Sequence, residues 1–511
     1  MTFKTQSKPT SKNSPYPWLF LAAYYLFCFL TYRDYGITLD EPRIYGGGVS
    51  YFRYYFTPWL MDNLATVEDA THNYLYPALL ELFCSPGNYT GIHLLNLLFG
   101  SLIFIAAYQV LWACYQKRSW ALAGCVVLFL TPRFLGELPA NPKDAAFAVL
   151  YFAALAGIYL IPQRVPGWGM ASFWIGILIG LATCVRILGL TLIPIYVFYQ
   201  LTEYGRETEV KPKFFKWVIG QLPRWLLILF FSQFCMRMLW PYLDHDYFRG
   251  MRDIFKESRF YYWDGLVLFA GQLIHPTARL WAYLPVWFLI TTPLFILTGF
   301  LFSFVAKKEK AVSSLWILLA LAAGFNFGLY LILKPIIYNG LRHYLFLVPI
   351  LSVMAVIGMI ELYRGVASSL AKKATLGLVL LNILMVAVQC VRLYPYDYLY
   401  FNELIGGLPG AYGHYETDYE GASLKEATQW LSTVAAQNPN VLMNVKISAS
   451  QEQCDYYFRS NMKEQDEVNR ANYWVALNKE ADFQLTPNFK NKVVHIVERE
   501  GVPLAYVLKM K

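Results

Sequence analysis

The sequence predicts a polytopic α-helical membrane protein with about eleven transmembrane helices and a small C-terminal external α/β domain. Of its 511 residues, 57% are hydrophobic and only 15% are charged, whereas soluble domains carry roughly 25% charged residues. The mean hydropathy is +0.36. Many apolar runs also approach the ~20 residues that a helix needs to cross a bilayer. The overall composition and the length of the apolar segments therefore both indicate a protein that crosses the membrane several times.

A window of about 19 residues places the predicted spans approximately over 17–33, 91–114, 119–132, 144–162, 168–184, 186–200, 217–238, 283–305, 312–334, 343–363 and 373–393. The apolar stretch 168–200 is too long for one helix at 1.5 Å per residue, so we expect a tight turn at Arg186. The first span lacks a small-residue cleavage site, which favours an uncleaved helix over a signal peptide. Together the spans define a predicted transmembrane domain over residues 1–393.

The placement of lysine and arginine predicts the orientation. Basic clusters lie before the first and seventh spans and after the second, eighth and tenth. If alternate loops are cytoplasmic, all of these clusters fall inside, which predicts an N-terminus inside and a C-terminus outside. The external loops are then 34–90, 133–144 and 239–282. Because the basic residues lie in short loops and not on one face, the net charge of +9 does not indicate nucleic-acid binding.

Residues 394–511 are richer in Asn, Gln, Glu and Lys and predict the external domain. Ser423 and Glu426 have the spacing of a capping box at the start of a helix. The stretch "KVVHIVEREGVPLAYVLKMK" predicts two strands around a Glu-Gly turn. The domain shows no nucleophile–base pair, so we expect it to have a supporting role, with Asp418 and Glu420 on a solvated surface.

Two adjacent carboxylates follow the first span in "YGITLDEPRIYGGG", residues 35–48. Helix initiation accounts for one of them, because Pro42 suits the first turn of a helix and a carboxylate before it caps free N–H groups. Ionisable groups close to hydrocarbon are also costly and often functional. Asp40 and Glu41 therefore admit a structural and a functional interpretation.

Further charged residues lie at the ends of other spans. "NPKD" places Lys143 and Asp144 directly before the fourth span, where a helix cap with an extended lysine explains them in isolation. Arg186 lies in a hairpin with almost no other polar residue, so we expect it to pair with Asp34, with Glu137 or with a ligand phosphate.

"YNGLRHYLF" places Arg342 and His343 at the predicted external start of the tenth span, on the same membrane face as Asp40. A single histidine at a membrane boundary is usually an interface residue. The gathering of acids and bases at one surface nevertheless suits group transfer from a lipid-linked phosphate. Arginine and lysine would stabilise the phosphate as it leaves, and a carboxylate would act as general base toward an acceptor hydroxyl.

A non-enzymatic carrier or flippase for lipid-linked glycans is the alternative function. Transporters tend to bury charged groups near the bilayer midplane, in broken helices. No acidic residue falls clearly in the middle of a predicted span, so the enzyme hypothesis is favoured.

Several stretches occur in an order typical of one family. They are "GITLDEPRIY", "HLLNLLFG", "PRFLGELPANPKDAAFA", "YLPVWFLITTPL", "GLRHYLFLVPIL" and, most specifically, residues 394–431. Through them the chain resembles, from about residue 36 to 431, the bacterial membrane glycosyltransferases related to dolichyl-phosphate-mannose–protein mannosyltransferases (family 39) and to aminoarabinose transferases. These enzymes share the GT-C fold.

The resemblance implies a multi-pass enzyme of the bacterial cytoplasmic (inner) membrane and cell envelope. It would transfer a sugar, with inversion, from a polyprenyl-phosphate donor to a lipid, glycan or protein acceptor. In such enzymes an acid of the first external loop is the base or binds the acceptor, and this acid matches Asp40, with Glu41 beside it. The second-loop motif, near the donor phosphate, matches Lys143 and Asp144.

The resemblance also bears on the remaining candidates. Arg186, Arg342 and His343 are the other expected donor-phosphate ligands. Some relatives bind a divalent metal between acids of the first and second loops, and the corresponding pair here is Asp40 and Asp144. No other cofactor is implied. Glu137 is a departure from the family pattern, because the related subgroup has a histidine there.

Overall fold

The computed structural model describes residues 15–56, 71–207, 212–244, 246–260, 263, 265–278, 280–448, 451–479 and 491–511. The predicted lysine-rich start of the chain, 1–14, and part of the first predicted loop, 57–70, lie outside the described residues. The helices, in chain order, are α1 Tyr16–Thr31, α2 Glu41–Phe56, α3 Leu75–Leu80, α4 Tyr89–Tyr115, α5 Arg118–Phe129, α6 Pro132–Glu137, α7 Asp144–Arg164, α8 Trp168–Val185, α9 Leu192–Arg206, α10 Phe214–Leu239, α11 Tyr247–Phe260, α12 Tyr283–Thr291, α13 Leu294–Val305, α14 Lys310–Leu333, α15 Leu347–Gly365, α16 Ser369–Leu393, α17 Gly407–Ala411, α18 Leu424–Gln437 and α19 Gln451–Asp455.

Each predicted span coincides with one of these helices or with the α12–α13 pair. Within the described ranges, seven helices are long and apolar enough to cross a membrane, namely α4, α7, α8, α10, α14, α15 and α16. The α12–α13 pair makes an eighth span if it is counted as one, bent by 115°. The remaining predicted spans coincide with α1, α5 and α9, which are shorter. The chain is therefore a polytopic helical membrane protein, as predicted.

Two interruptions of the helices have clear physical causes. Pro293 cannot donate a hydrogen bond and holds Thr292 in an extended conformation, which separates α12 from α13. The Asn402 amide donates to the carbonyls of Leu289 and Thr292 at 2.6 and 2.7 Å, which satisfies groups that this break leaves free. Arg186 is extended between α8 and a 3₁₀ turn, so the predicted tight turn is confirmed.

The helices differ in how deeply they lie in the bundle. α7 and α15 are mostly buried against other helices, whereas α16 exposes most of its apolar surface. A two-stranded hairpin, β1 Val267–Phe269 and β2 Gln272–Ile274, lies between α11 and α12. The predicted site residues lie in the loops before α2, α7 and α15, at the first residues of α2 and α7, and directly after α8.

The C-terminal region forms a small sheet with helices α18 and α19. Its strands are β3 Met443–Ile447, β4 Met462–Glu464, β5 Tyr473–Leu477, β6 Val493–Arg499 and β7 Val502–Lys509, in the order β4-β3-β5-β7-β6. β3 pairs with β4 and β5 in parallel, and β7 pairs antiparallel with β5 and β6. The predicted hairpin is confirmed, with Glu500 and Gly501 at positive φ in its turn.

The predicted capping box at Ser423 is wrong. α18 begins at Leu424, but Ser423 has a helical conformation and its side chain makes no cap hydrogen bond. The hydroxyl instead donates to the carboxylate of Asp418, which also accepts the Ser423 backbone N–H at 3.2 Å. A buried acid five residues upstream therefore takes the hydroxyl that would otherwise cap the helix.

Candidate active site

The two adjacent carboxylates of the first loop have different surroundings. Glu41 has no exposed surface, accepts the Thr38 backbone N–H at 2.7 Å, and lies 2.8 Å from Nε2 of His93. Asp40 has a side chain that is 43% exposed, and its Oδ2 accepts a hydrogen bond from Arg342 at 2.7 Å. Glu41 therefore serves the start of α2, and Asp40 is the acid that a substrate can reach.

The second loop is ordered by Asn141. Its side-chain oxygen accepts the backbone N–H of Asp144 at 2.9 Å, which caps the start of α7. Its amide donates to the carboxylates of Glu137 at 2.8 Å and Asp144 at 3.3 Å. Asp144 in turn forms an ion pair with Arg186. The predicted partner of Arg186 is thus an acid, but it is Asp144 and not Asp34 or Glu137.

Arg342 joins the first loop to the C-terminal region. It lies in a 3₁₀ turn, Arg342–Tyr344, just before α15. Besides Asp40, it donates to Glu420 at 3.2 Å. The positive charge of Arg342 lowers the pKa of Asp40, whereas burial raises the pKa of Glu420. Asp40 is therefore ionised at neutral pH.

Lys143 adds a further positive charge. It is half-buried, and within the described residues no carboxylate lies within 4.0 Å of its ammonium. Burial and the neighbouring Arg186 lower the pKa of Lys143 to about 7. Burial and the charges of Arg342 and Arg186 also lower the pKa of His343. Lys143, Arg186 and Arg342 thus gather at one place, and side chains of this kind bind phosphate groups.

The prediction that Asp418 and Glu420 lie on a solvated surface is wrong. Both are buried, with 2% and 3% exposure. Asp418 accepts hydrogen bonds from the Tyr398 hydroxyl and from the Gly421 backbone N–H. Glu420 pairs with Arg342, and its backbone oxygen accepts the Leu39 N–H at 2.9 Å. The segment 416–423 therefore packs against the loop that carries Asp40.

The sequence analysis also missed a buried pair next to Glu420. The Tyr419 hydroxyl donates to Glu137 at 2.6 Å and accepts from Arg133 at 3.0 Å. Burial raises the pKa of Glu137. Glu137 also contacts Asn141, so this chain of hydrogen bonds reaches Asp144. The signal was the concentration of tyrosines beside acids in "YETDYEGAS", which is unusual for a solvated turn.

The carboxylates of the site do not fit a divalent cation. No group of three or more His, Cys, Asp or Glu side chains able to hold a metal occurs within the described ranges. Asp40 and Asp144, the predicted pair, are each bound by an arginine and share the region with Lys143. The positive charges of these side chains repel a further cation at this position.

Solved structures share this architecture over nearly the whole chain. No protein-family model and no curated protein matches the sequence. ArnT from Cupriavidus metallidurans in the apo state aligns over 96% of this chain and 97% of its own, with a TM-score of 0.52 and 13% identity. The chain has the GT-C fold. The same ArnT bound to undecaprenyl phosphate aligns over 97% and 98%, with a TM-score of 0.51 and 12% identity.

The GT-C fold confirms the fold class implied by the sequence resemblance. In this GT-C chain the loops before α2, α7 and α15 bring Asp40, Lys143 and Arg342 into one electrostatic cluster, together with Arg186 at the end of α8. His343 follows Arg342 in the same turn.

Proposed function

We propose that this chain is a glycosyltransferase that moves a sugar from a polyprenyl-phosphate donor to an acceptor hydroxyl. The observation that carries the proposal is the contact between the partly exposed Asp40 and Arg342, beside Lys143, which forms no ion pair with the described residues. A base and an anion-binding group are thus held together, which is what such a transfer requires.

In the proposed reaction, Asp40 accepts the proton of the acceptor hydroxyl while the oxygen of that hydroxyl forms a bond to the anomeric carbon. The bond from that carbon to the phosphate oxygen breaks on the opposite side, which inverts the centre. Lys143, Arg186 and Arg342 stabilise the charge that develops on the departing phosphate. The negative charge of the donor also offsets the positive charge of Arg342. Donor binding therefore raises the pKa of Asp40 and makes it a stronger base.

The other candidate residues have supporting roles in this proposal. Glu41, expected beside Asp40 as a catalytic group, is fully buried and orients the start of α2. Asp144 fixes Arg186 and so positions a phosphate ligand. His343, with a pKa lowered by burial and by its cationic neighbours, stays neutral and is able to donate one hydrogen bond to the donor phosphate.

The donor class is supported by the structural neighbour. The aligned ArnT binds undecaprenyl phosphate, a polyprenyl phosphate of the kind that the cationic cluster suits. We place the site at the external face of a bacterial cytoplasmic membrane, with the N-terminus inside and residues 394–511 as an external domain, because that orientation puts the basic clusters inside. The acceptor is then a lipid, glycan or protein of the cell envelope.

A deletion strain tests the function directly. Lipid-linked sugars are extracted from the parent, the deletion strain and strains complemented with wild type or Lys143→Met. We expect one sugar-loaded polyprenyl phosphate to accumulate in the deletion strain and one surface glycan to lose a sugar. Wild type should reverse both changes and Lys143→Met should not. An unchanged pool of lipid-linked sugars would contradict the proposal.

A further inference from the structure

A cavity lies where the last membrane helix, α16, meets the C-terminal sheet. It has a volume of about 720 Å³ and shares no lining residue with the site around Asp40. Arg392 and Gln389 from α16 form part of its wall, together with Glu403 from the following loop and Glu500 from the β6–β7 turn. Its size lies within the range of ligand pockets, roughly 300–1,000 Å³.

The wall of this cavity contains hydrogen-bond acceptor atoms that have no hydrogen-bond donor among the described residues. Both carboxylate oxygens of Glu403 and the amide oxygen of Gln389 are buried and have no hydrogen-bond partner among the described residues. Leaving such groups unpaired is costly, most of all for a carboxylate. These unpaired oxygens therefore indicate a ligand with several N–H groups that can donate hydrogen bonds to them.

The position of Glu403 is set by the fold and not by the ligand. The preceding residue, Asn402, is fully buried and its amide donates to the carbonyls of Leu289 and Thr292 at the α12–α13 break. The Gly406 N–H donates to the Glu403 carbonyl at 3.2 Å, which closes the loop. The unpaired carboxylate is thus held in place before any ligand arrives.

The cavity wall carries both carboxylates and an arginine, so it suits a ligand that has one positive and one negative group. An ammonium group carries three N–H donors and suits the oxygens of Glu403 and Gln389, with Glu500 as a second carboxylate. Arg392, in the last turn of α16, makes no ion pair in the described part of the chain and suits a phosphate. An ammonium close to a phosphodiester is the headgroup of an ethanolamine phospholipid.

The surrounding surface supplies the apolar part of the site. Leu384, Val388 and Val391 follow one face of α16 and are 60%, 42% and 79% exposed. Leu404, next to Glu403, is 58% exposed. Because α16 is an apolar span with little burial against other helices, this stripe is where acyl chains would lie. We propose that the cavity binds phosphatidylethanolamine from the membrane leaflet on the same side as the C-terminal sheet.

Native mass spectrometry of the purified full-length protein tests this proposal with lipids of equal acyl chains. Phosphatidylethanolamine should bind about tenfold or more tightly than phosphatidylcholine, whose ammonium has no N–H, and than phosphatidylglycerol, which has no ammonium. Glu403→Gln should abolish this preference. Glu467→Gln, which alters an exposed glutamate paired with Arg470, should keep it.

A second substitution keeps the test decisive if Glu403→Gln does not fold. Arg392→Gln removes the phosphate partner and changes an exposed residue, so the protein should fold and bind all three lipids more weakly. Equal affinities for phosphatidylethanolamine and phosphatidylcholine in the wild type would overturn the proposal. So would an unchanged preference in a folded Glu403→Gln protein.

Discussion

The guanidinium of Arg342 donates to the carboxylate of Asp40 at 2.7 Å, although the two residues are 302 positions apart in the chain. The same guanidinium donates to Glu420 at 3.2 Å. One cation thus holds a partly exposed acid and a buried acid. The exposed acid is available to a substrate, and the buried acid orients the cation.

Arg342→Gln should destabilise the protein in a pH-dependent way. Without the cation, the buried Glu420 would be left unpaired, which costs about 3–5 kcal/mol when the acid is ionised. Burial raises the pKa of Glu420 in the folded protein, so the folded variant binds a proton more readily than the unfolded chain. Its stability is therefore greatest at low pH and falls as pH rises through that pKa.

Melting temperatures at pH 5.5 and pH 8 measure this effect. We expect the deficit of Arg342→Gln relative to wild type to be larger at pH 8. Arg470→Gln is the control, because its exposed pair with Glu467 should contribute at most about 1 kcal/mol. An equal deficit at both pH values would show that Glu420 does not depend on Arg342 for its charge.

Donor capture should weaken above neutral pH. Burial and Arg186 lower the pKa of Lys143 to about 7 in the free protein, so the ammonium is lost as pH rises through that value. If the charged form binds the donor phosphate, kcat/KM for the donor falls about tenfold per pH unit above the pKa. Bound phosphate raises this pKa, so the decline in kcat should begin at higher pH.

Lys143→Arg provides the comparison, since an arginine stays protonated throughout this range. The variant should show no decline in kcat/KM between pH 7 and pH 9, although its absolute value is lower because the guanidinium is larger. A decline of the same size in Lys143→Arg and wild type would assign the titration to another group.

Tyr419→Phe should destabilise the second loop. The substitution removes a hydroxyl that donates to Glu137 and accepts from Arg133, and it leaves buried polar groups unpaired. Such a loss costs about 1–3 kcal/mol. The matched control is Tyr16→Phe, because Tyr16 is 62% exposed. Thermal unfolding should show a lower melting temperature than wild type for Tyr419→Phe and not for Tyr16→Phe. Equal melting temperatures for the two variants would contradict a stabilising role of the Tyr419 hydroxyl.

The spans were predictable because hydropathy depends on local composition. Each predicted segment coincides with a helix or with the bent α12–α13 pair, and the turn at Arg186 followed from segment length alone. The shared location of Asp40 and Arg342 could also be inferred, since topology places their loops at the same end of the bundle.

The partners of these residues depend on how distant segments pack. Glu420 lies in a polar stretch that is typical of a solvated turn, and only its approach to Arg342 and Leu39 explains its burial. The pair of Tyr419 and Glu137 joins positions 282 residues apart. No local pattern encodes such contacts, so these buried partners were missed, whereas the proximity of Asp40 and Arg342 could be predicted.

The rate of sugar transfer by purified Asp40→Asn, with its melting temperature, tests the central claim most directly. The amide keeps the shape and can still accept a hydrogen bond from Arg342, but it cannot take a proton. We expect transfer to fall about 10²–10⁴-fold with a stability change within about 1 kcal/mol. Asp34→Asn, which changes an exposed acid at the start of the same loop, should retain transfer. Near-normal transfer by a folded Asp40→Asn protein would contradict the assignment of Asp40 as the base.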